Sequence, residues 1–260
     1  MATISRVFPR FENKWVMVTG AGTGFGRTLA KRAAAEAANV VVHYNNSKAG
    51  AEKTAEAVRA LGREAIVVQA DIKSWDQIKS MIDVAWKTTG GIDVLMNNVG
   101  DIATDQVDWR EIDEKIIDRV LAVDIKGTML MIHEMGTRML ERGKGNIVNI
   151  ASTAAHAGQP WALAYSASKG GVLAMTRELA VEYAKAGLRC NSVSPGAIDT
   201  PITAAFEVPE GANPKLINRV MPLSGFGTPE GIAATIAYVA SDEASHMNGA
   251  DIRVDGATLS

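Results

Sequence analysis

Short runs of apolar residues recur along this 260-residue chain, and longer stretches of helical character lie between them. Several runs are continuous rather than alternating, which is typical of strands that are covered on both faces in a parallel sheet. The runs that we predict as strands are Val16–Gly20, Val40–Tyr44, Ala65–Asp71, Val94–Val99, Asn146–Ser152, Arg189–Pro195 and Asp251–Asp255.

The stretches between these runs predict helices. The first, Gly26–Ala38, is rich in alanine, the residue with the highest helix propensity. The others are Ala49–Leu61, Ser74–Thr88, Glu111–Glu141, Tyr165–Ala186 and Pro229–Ser241. Because strands and helices alternate along the whole chain, we predict an α/β fold, a doubly wound parallel sheet with helices on both faces.

The chain shows no linker and no internal repeat, so we predict a single domain over residues 1–260. One segment, Ala197–Gly227, lacks a clear period and is rich in proline. Long irregular segments are more often functional lids than plain connections, so we predict a substrate lid at 197–227. A tolerated surface insertion is the alternative.

Composition narrows the possible functions. Apolar residues make up 47% and charged residues 22%, which are ordinary globular proportions, so disordered and fibrous classes are excluded. A net charge of −2 offers no basic field for nucleic acid. The single cysteine, Cys190, and four scattered histidines predict neither a disulfide nor a metal site. Without a signal peptide or a membrane-length apolar run, we expect a cytoplasmic protein with no membrane partner.

Four glycines follow the first predicted strand, at Gly20, Gly22, Gly24 and Gly26. Phe25 prevents a match to G-x-G-x-x-G, but G-x-x-x-G-x-G fits. Such a loop lets the backbone approach a pyrophosphate that rests on the N-terminus of the next helix. We therefore predict a dinucleotide site here, and a tight turn without a ligand is the alternative.

The residues after the second predicted strand bear on which dinucleotide binds. An acidic residue there would accept hydrogen bonds from a ribose 2′-hydroxyl and repel a 2′-phosphate. This chain instead has Tyr44, Asn45, Asn46, Ser47 and Lys48. The hydrogen-bond donors and the one cation in this segment favour NADP(H), while NAD(H) stays possible.

The pattern Y-x-x-x-K occurs at Tyr44/Lys48 and at Tyr165/Lys169, and only the second copy lies within a predicted helix. Residues four apart share a helix face, and a lysine ammonium beside a phenol favours the phenolate. Tyr165 is thereby suited to general acid/base catalysis near neutral pH. Ser152, at the end of a predicted strand, is suited to hydrogen-bond a carbonyl or alkoxide oxygen.

Together these motifs resemble the short-chain dehydrogenase/reductase family over essentially the whole chain. Its T-G-x-x-x-G-x-G is matched by Thr19–Gly26, and its N-N-A-G is matched by Asn97–Gly100 with Val99 in place of alanine. Its serine and Y-x-x-x-K are matched by Ser152, Tyr165 and Lys169. Further matches are Asp71 with Ile72 after the third strand, Pro195–Thr200 after the sixth, and the C-terminal segments Ala240–Ala244 and Val254–Gly256.

The resemblance implies a Rossmann-like sheet of about seven strands in the order 3-2-1-4-5-6-7. It implies that Asp71 and Ile72 meet the adenine, and that Pro195, Gly196, Ile198 and Thr200 lie at the nicotinamide end. The implied cofactor site is completed by Thr23, Phe25, Asn98, Val99 and Gly100, and by Tyr165 and Lys169, with Lys169 holding the nicotinamide ribose. The resemblance also implies a homotetramer or homodimer, and the strand-2 end is similar to NADPH-using members, which supports Asn46 and Ser47 as 2′-phosphate ligands.

One departure from the family concerns its V-N-x-x-G segment, whose asparagine kinks a helix and anchors a water in a proton relay. The corresponding segment here is Val123–Gly127, with Asp124 at the asparagine position. A carboxylate keeps the size of the amide but changes the charge near Lys169. We include Asp124 among the candidate catalytic residues, with its relay role open.

The predicted function is that of an NAD(P)-dependent oxidoreductase that interconverts a secondary alcohol and a ketone, with Tyr165 as the general acid/base. The alternative is a non-catalytic dinucleotide-binding sensor or scaffold of the same fold. His156, Gln159 and Trp161 are candidates for the substrate pocket. Apolar side chains in the predicted lid favour a hydrophobic or ring-bearing substrate: Phe206, Leu216, Ile217, Met221 and Phe226.

Overall fold

The computed structural model describes residues 8–101, 107–200, 203 and 208–260. Within these residues, seven parallel strands form one sheet in the order β3-β2-β1-β4-β5-β6-β7. Their bounds are β1 (Trp15–Val18), β2 (Asn39–Tyr44), β3 (Ala65–Gln69), β4 (Val94–Asn97), β5 (Gly145–Ile150), β6 (Leu188–Pro195) and β7 (Asp251–Val254). The predicted fold class and strand order are therefore confirmed.

Most strands end earlier than their apolar runs predict. β1 ends at Val18 rather than Gly20, because Gly20 has a φ of +67°, which takes the chain out of the extended conformation. β3, β4 and β5 each end two residues sooner than predicted. Asp71, Val99 and Ser152 consequently lie in the turns beyond the strands, where side chains can face the carboxyl edge of the sheet.

The described residues contain seven α-helices of more than one turn. They are α1 (Gly24–Ala35), α2 (Lys48–Arg59), α3 (Trp75–Thr89), α4 (Glu114–Leu121), α5 (Thr128–Glu141), α6 (Leu163–Tyr183) and α7 (Pro229–Ala240). Each predicted helix corresponds to one of them, except that the predicted helix Glu111–Glu141 is divided into α4 and α5.

The prediction of one continuous helix over Glu111–Glu141 was wrong at two points. Asp113 is the N-cap, and its carboxylate accepts the Ile116 N–H at 2.8 Å, so the helix begins at residue 114. A π-helical turn, Ala122–Gly127, then separates α4 from α5 and carries Asp124. Such turns insert one residue into a helix and re-aim its side chains.

Two hydrophobic cores cover the sheet, one on each face. Alternate residues of β1 divide between them: Val16 and Val18 pack with α1, α2 and α7, and Met17 packs with α3, α5 and α6. The strand order reverses between β1 and β4. In doubly wound sheets this reversal opens a crevice at the carboxyl ends of the strands, where ligands bind.

The proline-rich segment 197–227 is only partly described. Pro214–Arg219 forms a short 3₁₀ helix that is capped by Asn213, and the Gly227 N–H donates to the Ala197 carbonyl at 3.0 Å. Phe206 of the predicted lid lies outside the described residues. Among the helices that are described, none has both the length and the apolar character needed to cross a bilayer.

Candidate active site

The glycine loop turns the chain from β1 into α1 at the crevice. A Cβ on Gly26 would overlap the Gly20 carbonyl oxygen, so the close packing of strand and helix requires glycine there. Thr23 precedes α1 without a side-chain cap, and a Cβ on Gly24 would meet nothing within 4 Å. The first N–H groups of α1 have no intrahelical acceptors, so this open helix N-terminus fits a pyrophosphate.

The segment after β4 braces the same loop. The Asn98 side-chain amide donates to the Thr19 carbonyl at 2.9 Å, and the Thr19 hydroxyl accepts the N–H of Asn98 at 2.9 Å and that of Val99 at 3.2 Å. A Cβ on Gly20 would lie 3.0 Å from the Val99 side chain. Asn98 and Val99 therefore hold the glycine loop against the sheet, while Gly100 lies beside the Lys169 ammonium.

The turn from β2 into α2 packs directly against the glycine loop. A Cβ on Gly22 would lie 3.0 Å from the Ser47 carbonyl oxygen. Tyr44 ends β2 partly buried, Asn45 and Asn46 are exposed, and α2 begins at Lys48 with no acidic residue in its first turn. Ser47 makes no side-chain cap to α2. The turn thus presents polar side chains and an uncapped helix N-terminus, without a carboxylate.

Arg27 is a residue of this region that the sequence analysis missed. Its guanidinium donates to the carbonyl oxygens of Gly22 at 2.6 Å and Gly50 at 3.3 Å, and to the Thr54 hydroxyl at 3.1 Å. Arg27 thereby ties the glycine loop to α2. Its position in the predicted helix Gly26–Ala38 gave no signal, because an arginine on an amphipathic helix is ordinarily solvated.

Asp71 and Ile72 follow β3 at the other side of the crevice. The Asp71 carboxylate accepts the Lys73 N–H at 3.0 Å and lies 3.4 Å from the Lys73 ammonium. Ile72 is buried, and a Cβ on Gly127 would lie 2.8 Å from its side chain. Asp71 therefore lies partly buried in the turn after β3, and Ile72 packs against the π turn.

Ser152, Tyr165 and Lys169 come together although they belong to different elements. Ser152 follows β5, and its hydroxyl oxygen accepts the Ala154 N–H at 3.1 Å. Tyr165 and Lys169 lie in the first turns of α6, with the ammonium 5.5 Å from the centre of the tyrosine ring. The ammonium also donates to the Ile150 carbonyl at 3.0 Å, which fixes the lysine over the end of β5.

These three side chains line one cavity of about 520 Å³. Predicted cofactor residues of three segments line the same cavity: Thr23, Gly24, Phe25, Asn98, Gly100, Pro195, Gly196, Ile198 and Thr200. Gln159 lines it as well, together with Ile217, Val220, Met221 and Phe226 from the predicted lid. The cavity therefore joins the N-terminus of α1 to the Ser–Tyr–Lys group.

His156 does not line this cavity, although the sequence analysis considered it for the substrate pocket. Its Nε2 lies 2.8 Å from the Asp251 carboxylate and 3.2 Å from the Ser194 hydroxyl. The histidine therefore fastens the loop after Ser152 to β6 and β7, and it helps to position the loop rather than to contact substrate.

Asp124 is fully buried beneath the Ser–Tyr–Lys group. Its carboxylate accepts the Asp101 N–H at 2.7 Å, contacts the Ser168 hydroxyl at 3.0 Å and lies 3.8 Å from the Lys169 ammonium. Burial raises the pKa of Asp124, and the lysine opposes this shift. The side chain does not line the cavity.

Comparison with known proteins places this geometry in context. A family model described as enoyl-(acyl carrier protein) reductase matches residues 20–257. The chain is 35% identical to glucose 1-dehydrogenase 2 of Bacillus subtilis over 251 residues, which cover 96% of each protein.

Two solved structures are similar over nearly the whole chain. A short chain dehydrogenase from Burkholderia cenocepacia J2315 in complex with NADP has a TM-score of 0.85 at 28% identity and covers 96% of this chain and 100% of that one. A short chain dehydrogenase from Mycobacterium paratuberculosis bound to NAD has a TM-score of 0.89 at 28% identity and covers 96% and 98%.

Proposed function

Because the chain belongs to the short-chain dehydrogenase/reductase family, it is an NAD(P)-dependent oxidoreductase of alcohols and ketones, and we propose that Ser152, Tyr165 and Lys169 carry out its chemistry. The observation that supports these roles is that all three line the cavity that contains the N-terminus of α1. The relatives are oxidoreductases, which favours catalysis over a dinucleotide sensor or scaffold.

The residues present fit a dinucleotide. The glycine loop would hold the pyrophosphate through the first N–H groups of α1, and Asp71 and Ile72 would meet the adenine. The segments 98–100 and 195–200 would flank the nicotinamide. When bound, the nicotinamide ring supplies or accepts the hydride.

The side chains of this protein would handle the proton and the substrate oxygen. Ser152 uses its oxygen to accept the Ala154 N–H, so its hydroxyl hydrogen can be donated to a substrate oxygen. Tyr165 gives its phenolic proton to that oxygen in reduction and takes it back in oxidation. Lys169 stabilises the phenolate, and Asp124 acts through Lys169 as a positioning residue.

A matched pair of tyrosine variants tests these roles. Tyr165→Phe should lower kcat by about 10²–10⁴-fold, the range for loss of a general acid/base, with the dinucleotide Kd unchanged. Tyr183→Phe, at the far end of the same helix, should retain full activity. Near-normal turnover of Tyr165→Phe, followed by absorbance at 340 nm with a panel of ketones, would contradict the assignment.

We also propose that NADP(H) is preferred over NAD(H). The support is the turn after β2, where Asn46, Ser47 and Lys48 meet an uncapped helix N-terminus that favours anions. Asn46→Asp should lower kcat/KM for NADPH by at least about tenfold and leave NADH less affected, because a carboxylate repels a 2′-phosphate.

Asn39→Asp is the control for this test, because it adds the same charge at the amino end of the same strand. The distance from residue 39 to the turn after β2 exceeds the Debye length of about 8 Å at physiological ionic strength, so the preference between the two dinucleotides should not change. A wild-type preference for NADH would refute the proposal.

The apolar cavity wall formed by Ile198, Ile217, Val220, Met221 and Phe226 supports a hydrophobic or ring-bearing substrate. We also propose that residues 1–260 form a single domain and that residues 197–227 act as a lid over its substrate. The homotetramer or homodimer stays a prediction from the family resemblance, and the cytoplasmic location stays a prediction from the sequence.

A further inference from the structure

His43 lies inside the sheet, on β2, between the glycine loop and the end of β3. Its side chain is only 1% exposed. The ring Nδ1 is 3.1 Å from the Gly20 backbone nitrogen, and Nε2 is 3.0 Å from the Ala70 carbonyl oxygen. Both ring nitrogens are therefore engaged by main-chain groups at the carboxyl edge of the sheet.

These two contacts fix the proton on the ring. The Gly20 N–H can only donate and the Ala70 carbonyl can only accept, so Nδ1 is the bare acceptor and Nε2 carries the hydrogen. Burial lowers the pKa of His43 to about 4, so the ring is neutral at neutral pH. A neutral imidazole of this tautomer is the form that satisfies both partners.

The partners of His43 belong to two parts of the dinucleotide site, the phosphate loop and the adenine segment. Gly20 opens the glycine loop in the left-handed conformation, and the His43 carbonyl accepts the next N–H, that of Ala21, at 2.8 Å. Ala70 immediately precedes Asp71 on the adenine side, and its N–H donates to the Tyr44 carbonyl at 3.1 Å. One residue thus binds consecutive amides of the phosphate loop and the carbonyl next to the adenine segment.

We propose that His43 is a positioning residue for the dinucleotide: by accepting the Gly20 N–H, it holds the glycine loop in the conformation that receives the pyrophosphate. This inference rests on the proposed cofactor site. Without the acceptor, the loop leaves its binding-competent conformation for part of the time, and the apparent Kd rises in proportion.

Two variants that each keep one of the contacts separate this role from simple stability. Asn places its amide oxygen where Nδ1 lies and can still accept the Gly20 N–H. Gln places its amide nitrogen near Nε2 and can still donate to Ala70, but it lacks the Gly20 acceptor. His43→Gln and His43→Asn each remove one buried hydrogen bond, so both should lower the melting temperature by similar amounts.

Only His43→Gln should weaken dinucleotide binding. We expect its Kd, measured by fluorescence titration with NADPH and with NADH, to rise about tenfold, whereas His43→Asn should stay within about threefold of wild type. The kcat of His43→Gln at saturating dinucleotide should stay near the wild-type value, because the Ser–Tyr–Lys group is untouched.

Asn146→Ala supplies the stability control. The Asn146 amide donates to the Ala240 carbonyl at 2.7 Å at the amino edge of the sheet, so its loss should lower the melting temperature without changing Kd. Equal Kd values for His43→Gln and His43→Asn, or a matching rise in Asn146→Ala, would overturn the inference. Wild-type protein that binds neither dinucleotide would instead refute the proposed function, and this inference with it.

Discussion

Replacement of Lys169 by methionine tests whether its charge promotes catalysis by Tyr165. The ammonium lies 5.5 Å from the centre of the tyrosine ring and is held by the Ile150 carbonyl at 3.0 Å. Methionine keeps most of the length and apolar stem of lysine but removes the charge. Lys169→Met therefore removes the electrostatic stabilisation of the phenolate and leaves Tyr165 in place.

The magnitude follows from this separation. With the ring centre taken as the position of the negative charge, two unit charges 5.5 Å apart attract by about 3 kcal/mol at an effective dielectric constant of about 20. Since about 1.4 kcal/mol corresponds to a tenfold change, the loss in kcat should be about 150-fold at pH 7. The deficit should shrink as the pH rises, because the phenol then ionises without help from the ammonium.

The assay is the pH dependence of kcat for alcohol oxidation, measured at saturating dinucleotide so that weaker cofactor binding does not enter. We expect the rate of Lys169→Met to approach that of wild type toward alkaline pH. A loss smaller than about threefold at pH 7 would refute the electrostatic argument. A large loss that is the same at every pH would also refute it, since that result would indicate a steric or binding role.

A variant of Asp124 serves as the control for effects of Lys169→Met on folding. Lys169→Met alone leaves a buried carboxylate without the cation 3.8 Å away, and isolated buried charges are strongly destabilising. Asp124→Asn has nearly the same shape and removes that charge. The rates should therefore be compared between Asp124→Asn and the double variant Asp124→Asn/Lys169→Met, whose ratio should reproduce the 150-fold loss estimated above within about a factor of three.

Three further predictions follow from the same contacts. Because the pKa of His43 is depressed to about 4 from the reference value of 6.5, the free energy of unfolding should fall by about 3 kcal/mol as the pH drops through that interval; urea titrations should show a flatter dependence for His43→Gln. Gly26→Ala should cost about 1–3 kcal/mol and weaken dinucleotide binding because its Cβ overlaps the Gly20 carbonyl, whereas Gly170→Ala, which meets nothing within 4 Å, should be neutral or stabilising by thermal melting. Burial raises the pKa of Asp124, so the folded protein loses stability as the pH rises above the ordinary pKa of this carboxyl group. Asp124→Asn should therefore raise the melting temperature at pH 7 more than at pH 4. An equal change at both pH values would contradict this reasoning.

The sheet was predictable because parallel strands are buried on both faces and their apolar runs are continuous. The runs at Val40–Tyr44 and Arg189–Pro195 lie entirely within β2 and β6. The ends were less predictable, because an apolar residue such as Val99 continues the pattern after the chain has left the strand. The π turn at Ala122–Gly127 left no periodic signal, since one extra residue in a helix of 28 positions hardly changes its hydrophobic pattern.

The proposed catalytic residues were easier to find in the sequence than the residues that support them. Ser152 and Tyr165 have reactive side chains and stand at the spacing of a known motif, so they can be recognised in the sequence. His43 stands in the run NVVVHY, where a histidine in an apolar strand is read as part of the core. Its role depends on Gly20 and Ala70, which are brought beside it only by the order of the strands.

Asp124 shows how a departure from a family motif can keep its geometry and change its chemistry. The Ser168 hydroxyl lies 2.7 Å from the Tyr165 carbonyl and 3.0 Å from the Asp124 carboxylate, and it has one hydrogen to donate. When that hydrogen points to the Tyr165 carbonyl, the contact with Asp124 is favourable only if the carboxyl group is protonated and donates to the Ser168 oxygen. The side-chain amide of an asparagine would donate in the same way. Burial raises the pKa of Asp124, whereas a hydrogen bond donated by Ser168 lowers it. Asparagine would keep the hydrogen bonds at every pH, whereas Asp124 can lose its proton and place a negative charge 3.8 Å from Lys169. The substitution therefore makes the charge around the lysine depend on pH.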